Sequence, residues 1–245
     1  MVGADFTDLS EPPSPVLVVV AHPDDIDFGT AGTIARLTDS GAEVVYALVT
    51  NGEAGPPEDE PDRQKVAEVR QREQAEAGKQ VGVTDIRWLG HADGRVTASL
   101  ELRRDISRVI RQVRPELVIT QSPQRRWDRI YASHPDHLAV AEATMAAVYP
   151  DARNPWAHTD LLDDEGLEPH SVARVWIGML DEPDVYIDIT DVFDRKVAAL
   201  RSHQSQTGWI PDLDALLREW AAGTTSQFDL PEGRLTEAFR QIETA

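Results

Sequence analysis

The apolar run Val16-Leu17-Val18-Val19-Val20 constrains this chain more than any other segment. An unbroken β-branched and aliphatic stretch of strand length reads as a strand buried on both faces, the interior of a parallel sheet covered by helices. The segment Gly29 to Ser40 follows with Ala31, Ile34, Ala35 and Leu37 at helical spacing and Gly41 as its stop, and Val44 to Val49 is a second buried strand. Asp62 to Val81 reads as a long charged helix with Val66, Val69 and Ala77 inward, Asp85 to Leu89 as a strand, Leu100 to Val113 as a helix, and Glu116 to Gln121 as the next strand. Further on, His137 to Val148 and Asp191 to Ser202 read as helices, and Ala173 to Met179 and Val185 to Ile189 as strands. Short terminal helices are expected around Leu213 to Trp220 and Leu235 to Ile242. Alternating strands and helices predict an α/β fold, a Rossmann-like three-layer sandwich with a mostly parallel sheet.

Residues 16–245 are expected to form one domain, since no composition shift, repeat or Gly/Ser-rich run divides them. Met1 to Pro15 is acidic and Pro-rich, without a basic stretch leading into an apolar one, and reads as a mobile tail. No apolar segment approaches the roughly 20 residues that span a bilayer. The chain has 24 basic and 43 acidic residues, net charge −19, a field that repels nucleic acid and anionic membranes. Cys is absent, which excludes disulfides and thiolate metal sites. A cytoplasmic protein acting on a small molecule is the expectation; a homo-oligomer stays open.

The chemistry concentrates in two clusters. Ala21-His22-Pro23-Asp24-Asp25 directly follows the first strand, and Ser133-His134-Pro135-Asp136-His137 directly precedes a helix. In open α/β sheets, ligands gather beyond the carboxyl ends of the strands. His22 to Asp25 lies there after strand one, Asn51 after strand two, Asp93 after strand three, and Ser122 to His137 after strand four. Topology therefore predicts that all four converge on one edge.

His22, Asp25 and His137 offer two nitrogens and one carboxylate, the donor set of a catalytic zinc with an open position. Iron(II) or another divalent metal accepts the same set. Asp24 is placed to act as a general base, His134 to present an imidazolium to an oxyanion, and Asp136 to orient that imidazole or cap the helix it precedes. A non-catalytic sugar- or nucleotide-binding module is the reading from a different class; no G-x-G-x-x-G follows the first strand, where carboxylates stand instead, which argues against dinucleotides.

The two clusters resemble those of the LmbE-like, or PIG-L, deacetylases, and the likeness extends over roughly residues 16–206. It includes Gly29 to Ala35, Thr50-Asn51-Gly52-Glu53, Arg70 with Glu73, Leu89-Gly90 with Asp93-Gly94, and His203-Gln204-Ser205-Gln206. The resemblance implies a zinc-dependent hydrolase that removes acetyl from an N-acetylglucosamine-type group. It assigns His22, Asp25 and His137 to the metal, Asp24 as base, and His134 as oxyanion-stabilising acid with Asp136 as its partner. Arg70 and Asp93 match positions that hold sugar hydroxyls or a neighbouring polar group. An amidase of the same family, acting on a larger acyl or amide conjugate, is the alternative. Ala132 stands where thiol-pathway relatives carry a tyrosine, with Tyr131 displaced by one, which points away from a thiol precursor.

Smaller features read more simply. Arg125, Arg126 and Arg129 form a basic island expected to be an exposed loop with compensating charges. Trp127 and Trp156 lie in loops and are candidates to stack on a sugar, while Trp88 is expected in the core. His91, His158 and His170 read as ordinary surface or loop residues. His203 to Gln206 is expected to brace the sheet edge.

Overall fold

Val16–Val20 forms strand β1, and every residue of it is buried. Its side chains alternate as strand parity demands. Val16, Val18 and Val20 enter one apolar cluster with Ile26, Ile34, Leu37 and Tyr46, while Leu17 and Val19 enter another with Leu102, Ile106, Ile110 and Val140. Each such side chain contributes about 1.5–3 kcal/mol on full burial, so both faces of the strand must be covered.

This architecture is that of a computed structural model describing residues 5–55, 61–128, 130–180 and 182–244, the side chain of Tyr131 excepted. Arg129 and most of the loop expected between Gly55 and Asp62 lie outside the described residues. From β1 the chain runs through Asp25–Asp39 (α1), Val44–Thr50 (β2), Arg63–Gln80 (α2), Asp85–His91 (β3), Leu100–Val113 (α3) and Leu117–Thr120 (β4). Pro135–Ala146 (α4) and the single turn Thr159–Asp163 (α5) lead to Arg174–Gly178 (β5). Val185–Asp188 (β6), Phe193–Ser202 (α6), Gln204–Thr207 (α7), Leu213–Gln227 (α8) and Thr236–Glu243 (β7) follow. The sheet order is β3-β2-β1-β4-β5-β7-β6. Strands β1 to β5 pair in parallel, and β7 runs antiparallel between β5 and β6. The expected α/β sandwich with a mostly parallel sheet is what forms.

Two expectations are corrected. The segment expected as a helix over Leu235 to Ile242 is extended instead, and all of it after Leu235 lies in β7. Leu235, Phe239 and Ile242 mimic helical spacing, yet Phe239 packs in one cluster and Ile242 against the other, on opposite faces of the sheet. A vacancy between β5 and β6 needs backbone donors on both sides, and that tertiary demand overrides the local pattern. The N-terminal segment, expected as a mobile tail, is docked over its described part. Thr7 N–H donates to the Tyr186 carbonyl at 2.8 Å, along the open edge of β6, and Leu9 is buried in the core.

Helix α1 is fastened to the sheet by a buried ion pair. Lys196 Nζ meets Glu237 at 2.6 Å and also donates to the Phe28 carbonyl at 2.7 Å. Glu237 accepts from the N–H groups of Gly32 and Thr33 at 3.1 and 2.7 Å. Gly32 is required here, because a Cβ would lie 2.7 Å from Ile189. The pair joins α6, β7 and α1, and so fixes the helix whose start carries Asp24 and Asp25.

Candidate active site

The loops after β1, β2, β3 and β4 converge as topology predicts. At their centre is His22, whose two ring nitrogens face different groups. Nδ1 lies 3.1 Å from Nε2 of His137 and 3.3 Å from Oδ2 of Asp25, and His137 Nε2 is 3.0 Å from Oδ1 of Asp25. The Asp25 contacts are divided between its two oxygens, and the three groups crowd at about the 3.3 Å spacing of ligands on an ion with bonds near 2.0 Å; His22 with Asp93 and Asp136 forms a second cluster close enough to hold a metal ion. Nε2 of His22 faces the opposite way, 3.0 Å from Asp93 and 3.3 Å from Asp136. His134 completes a three-imidazole group with His22 and His137 and is the least enclosed of them.

The local sequence explains these positions. Asp24 takes a left-handed backbone at φ 83 and lets its carbonyl start α1 by accepting the N–H groups of Asp27 and Phe28. Helix α4 begins with Pro135 at its first turn, where a missing N–H costs nothing. Its cap is His134, whose Nδ1 accepts the Asp136 N–H at 3.2 Å. One turn further on, His137 faces the site.

The charges are strongly coupled. Burial pushes the His22 imidazole down, but Asp136, Asp25 and Asp93 outweigh it and raise it to about 12. Burial opposes ionisation of Asp25, and the His137 and His22 rings still hold it well below the usual carboxylate range. Asp93 is likewise lowered to about 2, its burial outweighed chiefly by His22. Asp24 goes the other way: burial raises it to about 6, with Asp25 adding and Arg70 opposing. Burial and the neighbouring His22 ring lower His134.

One of the sequence assignments changes partner. Asp136 holds the His134 ring only through its backbone N–H; its carboxylate takes His22 Nε2 and the N–H groups of Gly94 and Val96 at 2.8 and 3.2 Å. Arg70 is buried and both of its terminal nitrogens are engaged by protein groups, Nη1 donating to the Gly52 carbonyl and Nη2 to the Pro23 carbonyl at 2.8 Å and to Asp24 at 3.2 Å, while the buried Nε has no partner among the described residues. Gly52, at φ +70, is obligatory because a Cβ would fall against the Arg70 guanidinium. Asp93 is also buried, between His22 and the Ala54 N–H at 2.8 Å. Both are buried and engaged by protein groups around the site. His134, with Nδ1 engaged as an acceptor, carries its ring proton on Nε2 and is a donor as the neutral imidazole, where the sequence reading assigned an imidazolium.

Other residues find structural roles. His203, wholly buried, holds Asp27 at 2.8 Å, and Glu73 accepts from Ser205 N–H and Oγ at 2.7 and 2.6 Å, so this segment braces the site from behind. Arg125 donates to the Ser133 carbonyl and lies against Trp127, and Arg126 pairs with Asp128. Trp127 and Trp156 are exposed, and Trp88 packs partly buried against the core. His91, His158 and His170 bind Asp105, Asp151 and the Pro115 carbonyl. Sequence reasoning missed Gln74, which is wholly buried and links Asp24 to Asp27. The signal was there: Val66, Arg70, Gln74 and Ala77 form one inward stripe on α2, and two of the four are polar.

A parallel α/β sheet with imidazoles and carboxylates gathered at its carboxyl edge defines the class. The chain belongs to the PIG-L family, described as GlcNAc-PI de-N-acetylase, which matches residues 17–148. It is 36% identical to the diacetylchitobiose deacetylase of Thermococcus kodakarensis over 84% of this chain and 73% of that protein. It is 32% identical to a probable N-acetyl-alpha-D-glucosaminyl L-malate deacetylase 2 of Bacillus cereus, over 89% of this chain and 95% of that protein. The solved N,N'-diacetylchitobiose deacetylase of Pyrococcus horikoshii superposes with a TM-score of 0.85 at 29% identity, covering 98% of this chain and 87% of that one.

Proposed function

We propose that this protein is a divalent-metal-dependent deacetylase that hydrolyses the acetamide of an N-acetylglucosamine-type small molecule. The observation that carries the reading is the convergence of His22 Nδ1, His137 Nε2 and the Asp25 carboxylate within 3.0–3.3 Å in a chain of this family. Those three would hold the ion, and zinc suits two nitrogens and one oxygen best, with iron(II) the nearest substitute. When bound, the ion supplies Lewis acidity to the reacting carbonyl and acidifies water. Asp93 and Asp136, on the far nitrogen of His22, orient that ring and raise its basicity as a ligand.

The remaining groups divide the proton work. Asp24, raised by burial, takes a proton from the attacking water. His134 donates its Nε2 proton as a hydrogen bond to the carbonyl oxygen as negative charge develops there. Asp24 then returns its proton to the leaving amine as the C–N bond breaks, giving acetate and a free amino sugar. Among the described residues no helix is long and apolar enough to cross a membrane.

Acetate release from N,N'-diacetylchitobiose tests this reading. Activity should vanish with a chelator, return with zinc and fail in Asp24→Ala. Metal-replete protein that releases longer acyl groups but not acetate would instead be an amidase of the same family.

A further inference from the structure

Asp24 is a non-glycine residue at φ 83 and ψ −28, a strained conformation that persists only where the surroundings enforce it. Helix α2 does the enforcing. The peptide unit joining Pro23 to Asp24 is gripped at both ends: its oxygen accepts Arg70 Nη2 at 2.8 Å, and its N–H donates to Gln74 Oε1 at 2.9 Å. Arg70 and Gln74 stand one turn apart on the same buried stripe, so one rigid element sets the plane of that peptide. The following peptide is held by α1, whose Asp27 and Phe28 N–H groups bond the Asp24 carbonyl, so the two together fix φ of Asp24 and the direction in which its side chain leaves the backbone.

Gln74 is itself locked. Its Nε2 donates to Oδ2 of Asp27 at 2.8 Å, and the same oxygen holds Nε2 of His203 at 2.8 Å. Gln74, Asp27 and His203 are all wholly buried. A flip of the amide would set NH2 against the Asp24 N–H and a carbonyl against a carboxylate, so only one orientation satisfies both neighbours. We propose that Gln74 is a positioning residue, locked by Asp27 and His203, that clamps the Pro23–Asp24 peptide and thereby aims the Asp24 carboxylate. The proposal rests on the reading of Asp24 as the general base.

The test uses the zinc-loaded full chain and N,N'-diacetylchitobiose, with Gln74→Met and Gln74→Glu made alone and in an Asp24→Ala background. Zinc content and the thermal unfolding midpoint are recorded for each. Gln74→Met conserves volume and removes both hydrogen bonds. It should lower kcat by about 10²-fold with KM and zinc content held, since small misplacements of a reacting group have that effect. It should cause no further loss once Asp24 is alanine. Gln74→Glu keeps an acceptor for the Asp24 N–H but sets a second carboxyl against Asp27. It should therefore retain more kcat than Gln74→Met despite a lower unfolding midpoint. Losses that multiply in the Asp24→Ala background, or kcat values that follow the unfolding midpoint, would show a merely structural residue and overturn the proposal. Full activity in Asp24→Ala alone would remove the general-base reading beneath it, and that single variant reports this separately.

Discussion

The Asp136 carboxylate lies 3.3 Å from Nε2 of His22, on the side of the ring opposite Asp25 and His137. One imidazole thus joins the candidate metal donors to a buried carboxylate anchored by two backbone N–H groups. Asp136→Asn should weaken zinc binding by about 10–100-fold, the usual effect of removing a ligand's supporting carboxylate. Competitive zinc titration measures it. Unchanged affinity with reduced activity would return Asp136 to the role of a partner to His134.

Asp24 lies outside the three proposed metal donors, and its substitution separates chemistry from metal binding. Asp24→Ala should lower kcat by about 10²–10⁴-fold, the range of a general base. Zinc stoichiometry should stay at the parental value by elemental analysis. Loss of zinc together with activity would make Asp24 a ligand.

Removing His203 leaves the buried Asp27 carboxylate without its imidazole partner at 2.8 Å. His203→Ala should cost about 3–5 kcal/mol in unfolding free energy, as breaking a buried pair does. Denaturant titration gives the value directly.

The same pair makes stability depend on pH. Burial alone would lower His203, but the hydrogen bond and charge of Asp27, aided by Asp24 and Glu73, raise it above its ordinary 6.5. A raised histidine stabilises the fold fully below pH 6.5, and that contribution is lost as pH climbs through the higher folded value. The unfolding free energy should therefore decline above pH 6.5 with a component that disappears in His203→Gln. An identical slope in the variant would assign the decline to other groups.

Gly52 combines φ +70 with contact against the Arg70 guanidinium. Gly52→Ala should cost at least about 1–2 kcal/mol from the backbone alone. It should also displace Arg70 from the Pro23 carbonyl and reduce kcat. Thermal unfolding and steady-state kinetics on the same preparation check both, and an alanine variant with parental values for each would mean that the β2 exit relaxes freely.

Much of this protein is legible residue by residue because its strands and helices answer to local periodicity. Val16 to Val20 announces a strand covered on both faces, and strand-then-helix order places His22, Asn51, Asp93 and His134 on one edge before any coordinate is known. That reach follows from geometry: side-chain parity and the right-handed crossover leave few arrangements. The donor types at His22, Asp25 and His137 are equally a matter of sequence. Partner choice is not. Asp136 stands two residues from His134 yet serves His22, which is 114 residues away, and Arg70, from an inward helical stripe, spends its donors on Gly52, Pro23 and Asp24. Leu235 to Ile242 carries helical spacing and becomes a strand because β5 and β6 leave a gap that only extended backbone fills. Buried hydrogen bonds and ion pairs depend on distances of a few tenths of an ångström between distant segments, and only the packed chain sets those distances.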